Sequence, residues 1–509
     1  MSNQDFDIAL TYHEETKHTY DSVYRSHHFL DWDNQPRPYK IYTGLDPLPL
    51  SDTLPTTHTP MLHVLTQTIG TLASAALPTL AEIAYLLYYA AGVTRRRIYP
   101  GHGEVFFRAA ACTGALYHID LYLAVADLPD LAAGVYHFDP IDFALRPLRQ
   151  GDYRRVLVEA SADEQALSEA PMIVIAADTF WRNTWKYRAR AYRHSFWDSG
   201  TILANLLVSA TGLGRPARLI TGFVDSAVNA LIDVEPAREA ALCLVGIGGG
   251  SPAPASAPPV PVLQLEVAPL SAQESDYPAV RIMHQASMLD HPREVEVWRQ
   301  GTPPLGLPSA TQSVFSLKLE EDATTDGLEA VIRRRGSSRQ FVHHDITLSE
   351  LSNVLIRSTQ EIPADFSTLP GLLLNDMYLL VHAVTGLPPG AYVYHPREQT
   401  LELLQENDYR HEAATLALGQ ELAADASANV YFLCDLMLVL EHYGNRGYRI
   451  AQLEAGLLAG RMYLAAYAQG LGATGLTFFD DDVIETFTPH AAGKSVMFLL
   501  ALGHSASRR

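Results

Sequence analysis

The sequence predicts an α+β fold built twice in tandem, and three observations carry that expectation. Segments match at a fixed offset of 256 residues: LAAGVYHFDP (131–140) with LPPGAYVYHP (387–396), GDYR (151–154) with NDYR (407–410), Tyr192-Arg193 with Tyr448-Arg449, and Gly200 with Gly456. An offset held across so many positions marks two copies of one module. Both copies also alternate apolar strand and helix patterns in the same order. Between them runs GIGGGSPAPASAPPVPVL (246–263), whose prolines and glycines suit neither helix nor central strand.

Each element follows from its pattern. Residues 1–60 are polar and aromatic without sustained periodicity, and read as an ordered arm. Domain 1 is expected over 61–250, a Pro/Gly-rich linker region over 251–313, and domain 2 over 314–509. Each copy opens with a helix (80–91; 348–357), where TLAEIAYLL (79–87) matches TLSELSNVL (347–355) at offset 268. A strand follows (IDLYLAVA; DMYLLVHA), then a hairpin around Gly-Val/Ala-Tyr, then a second apolar strand (PMIVIAA; ANVYFLC). A long helix comes next (WDSGTILANLLVSATG; LEAGLLAGRMYLAAYAQG), apolar on more than one face, which suits burial at a seam between the copies. A last strand (AALCLVGIG; SVMFLLALG) closes each copy.

Composition narrows the function classes. The 509 residues carry 37 Lys+Arg against 57 Asp+Glu, a net charge of -20, which argues against nucleic acid or an anionic membrane as main partner. No stretch is long and apolar enough to span a bilayer, and MSNQDFDIAL lacks the pattern of a secretion signal. Cys112, Cys243 and Cys434 are too widely spaced for a disulfide framework or zinc knuckle. A cytoplasmic protein is expected. His13, His18, His27 and His28 accompany Glu14, Glu15 and Asp31, but no convincing ligand spacing emerges, so no metal is expected.

The copies differ in informative places. In the second, AVIRRRGSSRQF places Arg335, Ser337 and Arg339 at alternating positions, a plausible clamp for a phosphate. The first copy has Gln67, Ile69 and Thr71 there, with no positive charge. Conversely, the first copy has the small residues Ala111, Cys112, Thr113 and Gly114 before a strand, where a flat ligand could approach the main chain. The second copy has Pro370 and Gly371 in that stretch, and the first carries about a dozen extra residues over 95–108. The second copy ends in Arg508 and Arg509. One composite site, with cations from the second copy and a cradle from the first, accounts for all of these differences.

Arg335-x-Ser337-x-Arg339-x-Phe341 resembles the flavin-mononucleotide signature of nitroreductase-superfamily domains, and GLGATGLTFF (470–479) resembles the segment beside the flavin ring. More narrowly, YHEETKH (12–18), HFLDWDNQPRPYKIY (28–42), FRAAACTGALYHIDLYL (107–123) and TWKYRARAYRHSFWDSG (184–200) resemble SagB-type peptide azoline dehydrogenases. The resemblance implies two nitroreductase-like domains packed as an intramolecular pseudo-dimer around FMN. It assigns Arg335, Ser337, Arg339, Ala111, Cys112, Thr113, Gly114, Gly475, Leu476 and Arg508 to the flavin, and Lys186-Tyr187 to proton removal. The implied reaction is oxidation of a thiazoline or oxazoline ring, on a peptide or carrier-bound intermediate, to the azole. A cyclodehydratase or synthetase complex is the implied assembly, with dimerisation of the fused chain left open. At offset 256 the second copy has His442-Tyr443, so the lysine is unique to one copy, and one flavin per chain is expected. Partial burial or the nearby cations Arg182, Arg188 and Arg190 are expected to lower the Lys186 pKa. The residues also leave open an NAD(P)H-dependent nitroreductase or quinone reductase, and a non-catalytic scaffold of a heterocycle-forming complex.

Overall fold

The computed structural model describes residues 3–25, 28–67, 76–99, 103–311, 313–319, 326–366 and 372–506. The first copy folds around a seven-stranded sheet. Its order is Leu48–Pro49, Ala144–Gln150, Gly134–Asp139, Ile119–Val125, Met172–Thr179, Glu239–Ile247 and Ala217–Ile220, with every neighbouring pair antiparallel. The second copy repeats this path: Thr400–Glu406, Gly390–His395, Asn375–Val381, Ala428–Cys434 and Ser495–Ser505 pair in that order, with Gly472–Leu476 on the last. Even the irregularities recur. Register shifts fall between Val135 and Tyr136 and between Ala391 and Tyr392, then again at Ala176/Ala177 and Phe432/Leu433. A bulge kept at the same place in both copies belongs to the module's design.

The first helices, Leu80–Ala91 and Leu348–Ser358, both start on capping boxes: Thr79 with Glu82, and Thr347 with Glu350. The shared T-x-x-E is the cause, since each side chain satisfies a backbone N–H the first turn leaves free. The extra residues of the first copy form a β-hairpin, Val93–Tyr99 with Gly103–Arg108. Short helices at Phe180–Tyr187 and Leu436–Tyr443 run into the long ones, Ala191–Gly212 and Arg446–Ala468. The long helices start earlier than hydropathy indicated, because their first turns carry Arg193 and Arg449 as buried, paired cations rather than apolar residues.

These two helices form the seam. A Cβ on Gly200 would stand 2.4 Å from the Leu457 nitrogen, and one on Gly456 would stand 2.6 Å from the Trp197 Cα. Only glycine permits so close a backbone approach. On either side of the crossing, charges are exchanged between copies. Arg190 and Arg193 of the first copy each lie 2.7 Å from Asp481 of the second. Arg446 and Arg449 of the second lie 2.6 and 2.8 Å from Asp225 of the first. The arm threads this seam: Arg193 also donates to the His13 carbonyl at 2.7 Å, and the His18 N–H donates to Asp481 at 2.7 Å.

Breaking one clamp should therefore loosen both copies. Asp481→Asn leaves two buried guanidiniums short of their counter-charge and should cost about 3–5 kcal/mol. Gly456→Val should force the helices apart at similar or greater cost. Chemical denaturation of each variant checks this, and a native midpoint in both would contradict the assigned seam.

Candidate active site

A cleft of about 1920 Å³ opens where the copies meet. The first copy contributes Ala111, Cys112, Thr113, Gly114, Lys186 and Tyr187, and the second contributes Arg335, Ser337, Arg339, Gly475 and Leu476. The structure thus brings together all the residues assigned to the flavin and to proton removal except Arg508, which lies outside the described residues. Ile69, Thr71, Pro370, Gly371 and His27 lie outside them too. The lining holds eleven Lys and Arg side chains against two carboxylates, Glu15 and Asp198, in a chain of net charge -20. Of these cations, Lys17, Arg190 and Arg334 are paired with Glu14, Asp481 and Asp326, and the remaining ones suit an anionic ligand.

The cationic wall is less regular than an alternating extended segment. Arg335 ends the helix Leu328–Arg334 and crosses to the first copy, donating to the Ala109 carbonyl at 2.8 Å and the Arg108 carbonyl at 3.2 Å. The Ser337 and Tyr463 hydroxyls are 3.1 Å apart. Arg339 is exposed at the cleft. Gly475 keeps the neighbouring wall smooth, since a Cβ there would meet the Phe498 ring at 2.6 Å.

Lys186 and Tyr187 end the helix Phe180–Tyr187, and Arg188 follows with a positive φ of 53°. Lys186 is half-buried; burial and then the Arg339 guanidinium lower its ammonium pKa. This corrects the expected source of that cation. Arg182 is spent on Asp120 at 2.8 Å, Arg190 on Asp481, and Arg188 is exposed, so the neighbouring charge comes from the other copy. Burial, with Asp198 and Cys112 nearby, raises the Tyr187 hydroxyl and keeps it protonated.

Beneath the cradle lies a group the sequence pattern did not single out. Asp198 accepts from the Thr113 N–H at 2.9 Å, the Thr113 hydroxyl at 2.9 Å and the Cys112 thiol at 3.0 Å. His118 lies 2.8 Å from Asp198 and 2.7 Å from Asp178. The ligand atoms of Cys112, His118 and Asp198 fall within 4.8 Å of one another, yet here all three are engaged in hydrogen bonds. Their positions at 112, 118 and 198 have no local motif; only the fold of the strand against the long helix joins them.

At the pseudo-symmetric position, Tyr443 and Glu454 stand 256 residues after Tyr187 and Asp198. Among the described residues they line only a small pocket of about 10 Å³, together with Pro303 and Leu305 from the segment joining the copies and with Phe366. The counterparts of Ala111–Gly114, residues 367–370, lie outside the described residues. The Tyr443 hydroxyl is turned onto the Gly301 carbonyl at 2.8 Å.

Comparisons with known proteins agree with this architecture. The Nitroreductase family model matches residues 129–249 and 332–504, one segment in each copy and more than half of the chain. A crystal structure of a nitroreductase-type protein from Anabaena variabilis is 26% identical with a TM-score of 0.76, covering 98% of this chain and 99% of that one. The nitroreductase-type protein MJ1384 of Methanocaldococcus jannaschii is 29% identical over 167 residues, which are 31% of this chain and 82% of that one. The Microcin B17-processing protein McbC of Escherichia coli is 27% identical over 143 residues, 26% of this chain and 52% of its own length. With a tandem pair of such modules and the family match falling on both, the chain belongs to the nitroreductase family.

Proposed function

We propose that the chain is an FMN-dependent dehydrogenase that oxidises thiazoline or oxazoline rings, on a peptide or carrier-bound substrate, to thiazole or oxazole. The observation that carries this reading is the meeting of Lys186-Tyr187, from one copy, with Arg335, Ser337 and Arg339, from the other, in a single cleft. The likeness to a microcin-processing protein supports it from outside.

The residues present suit FMN. Arg339, with the donors that Arg335 has not spent on carbonyls, would hold its phosphate beside Ser337. The small residues Ala111–Gly114 and the smooth wall at Gly475 and Leu476 would flank its ring. Bound there, the flavin supplies a hydride acceptor. Aromatising an azoline also releases a proton from the adjacent carbon, and Lys186 is the base that takes it. Its lowered pKa enlarges the neutral fraction available near neutral pH. Tyr187, kept protonated, donates a hydrogen bond that orients the ring. A chain processed by partners would receive the azoline from a cyclodehydratase or synthetase, by the same reading.

Purified protein should carry one flavin per chain, because Pro303 and Leu305 line only a small pocket at the second position. Arg335→Ala combined with Arg339→Ala should bleach it; full retention of flavin, or two flavins per chain, would contradict the site. Lys186→Ala should lower azoline oxidation by about 10²–10⁴-fold. Reduction of the bound flavin by NAD(P)H should stay largely unchanged in that variant. Equal loss of both would favour a general reductase. In the wild type, azoline oxidation should rise with pH through a value below the ordinary lysine pKa, and that limb should vanish in Lys186→Ala.

A further inference from the structure

Among the buried titratable groups, one chain reaches the candidate site without touching the cleft's cations. The Ser195 hydroxyl donates to Asp178, Asp178 holds one nitrogen of His118, and the other nitrogen of His118 holds Asp198. Asp198 in turn receives the Cys112 thiol and both donors of Thr113.

The loop fastened this way is under backbone strain. Gly114, Ala115 and Tyr117 have φ of 65°, 54° and 46°, a region that Ala and Tyr adopt only when surroundings impose it. The loop also abuts the proposed proton-handling pair, since a Cβ on Gly114 would stand 2.8 Å from the Tyr187 hydroxyl.

The duplication supplies a control. At offset 256, His118, Asp178 and Ser195 become Leu374, Cys434 and Ala451, while Asp198 becomes Glu454. The second copy folds with the same strands and bulges, and there Glu454 accepts from the N–H groups of Leu374 and Asn375 at 3.0 and 2.8 Å and from the Asn375 side-chain amide at 2.9 Å, with no histidine relay behind it. The fold does not need the relay; the large cleft has it and the small second pocket does not.

We propose that Asp198, locked by the His118–Asp178–Ser195 chain, is a positioning residue that latches the strained Cys112–Tyr117 loop and so sets the place of the Tyr187 hydroxyl. Burial disfavours a charged His118, but the two carboxylates outweigh it and raise its pKa to about 9, so the latch stays charged at neutral pH. The kinetic consequence rests on the dehydrogenase reading; the latch itself does not.

Two measurements on the flavin-loaded protein test it. Alkylation of Cys112 by iodoacetamide, located by peptide mass spectrometry, should speed up roughly tenfold in Asp198→Asn and less in Thr113→Val, as the thiol loses the neighbouring negative charge that, after burial, raises its pKa, or the loop loses one of its bonds. Cys243 and Cys434 are buried and serve as internal controls. In azoline turnover, Asp198→Asn should lower kcat about 10- to 100-fold with KM and flavin content within about twofold. Combined with Tyr187→Phe it should add almost nothing to the loss from Tyr187→Phe alone. Unchanged alkylation in both variants, or fully additive kinetic losses, would overturn the proposal. If the wild type shows no azoline oxidation while the alkylation contrast holds, the function assigned above fails and the latch stands.

Discussion

Everything in this molecule depends on two helices that touch backbone to backbone at Gly200 and Gly456, with an arginine pair on each side gripping an aspartate of the opposite copy. Buried ion pairs often contribute little net stability compared with apolar packing, since both charges must be desolvated. Their value here is geometric. Asp481 is wholly buried with Arg193 against it, and neither can be satisfied without the other copy in place. The seam therefore has one register, and the cleft, which lies across it, inherits that register.

A site shared across such a seam explains why the two copies could diverge. Arg335, Arg339, the smooth Gly475 wall and Tyr463 come from one side, and the cradle, the lysine and the His118 relay from the other. Arg335 makes the dependence explicit, because its guanidinium is held by carbonyls of the opposite copy. Arg339 does so electrostatically: it lowers the pKa of a lysine that belongs to the other module. Neither half would present the same chemistry alone.

Much of this was legible in the sequence because duplication is a linear signal. Pairs such as Tyr192-Arg193 and Tyr448-Arg449, or Gly200 and Gly456, stand out at one offset, and glycine at a helix midpoint is costly enough to need a reason. TLAEIAYLL and TLSELSNVL stood out in the same way, as a repeat at offset 268. The partners of these residues were not legible. Asp225 and Asp481 also lie 256 residues apart, but an isolated acid in a chain with 57 of them carries no signal until its cations are placed. The cation beside Lys186 was sought among sequence neighbours, whereas burial consumed Arg182 and Arg190 in ion pairs and folding brought up Arg339 instead. His118 and Asp198 were hidden by distance along the chain.

Fusion of the two modules changes what such a site can become. In a homodimer every residue is present twice, so a segment that closed one cleft would close both, and a base kept in one cleft would be kept in the other. A single chain is free of that constraint. Pro303 and Leu305 lie in the connection between copies, a segment that exists once, and they line a pocket of only about 10 Å³ at one of the two positions, while a cleft of about 1920 Å³ stands at the other. The same freedom let His442 stand where the first copy has Lys186, and let Leu374, Cys434 and Ala451 replace three members of the relay. The second copy is anchored by Arg446 and Arg449 on Asp225 and keeps its sheet intact. The connecting segment thus does more than tether the copies: by lining the second position it makes the pseudo-symmetric pair structurally unequal.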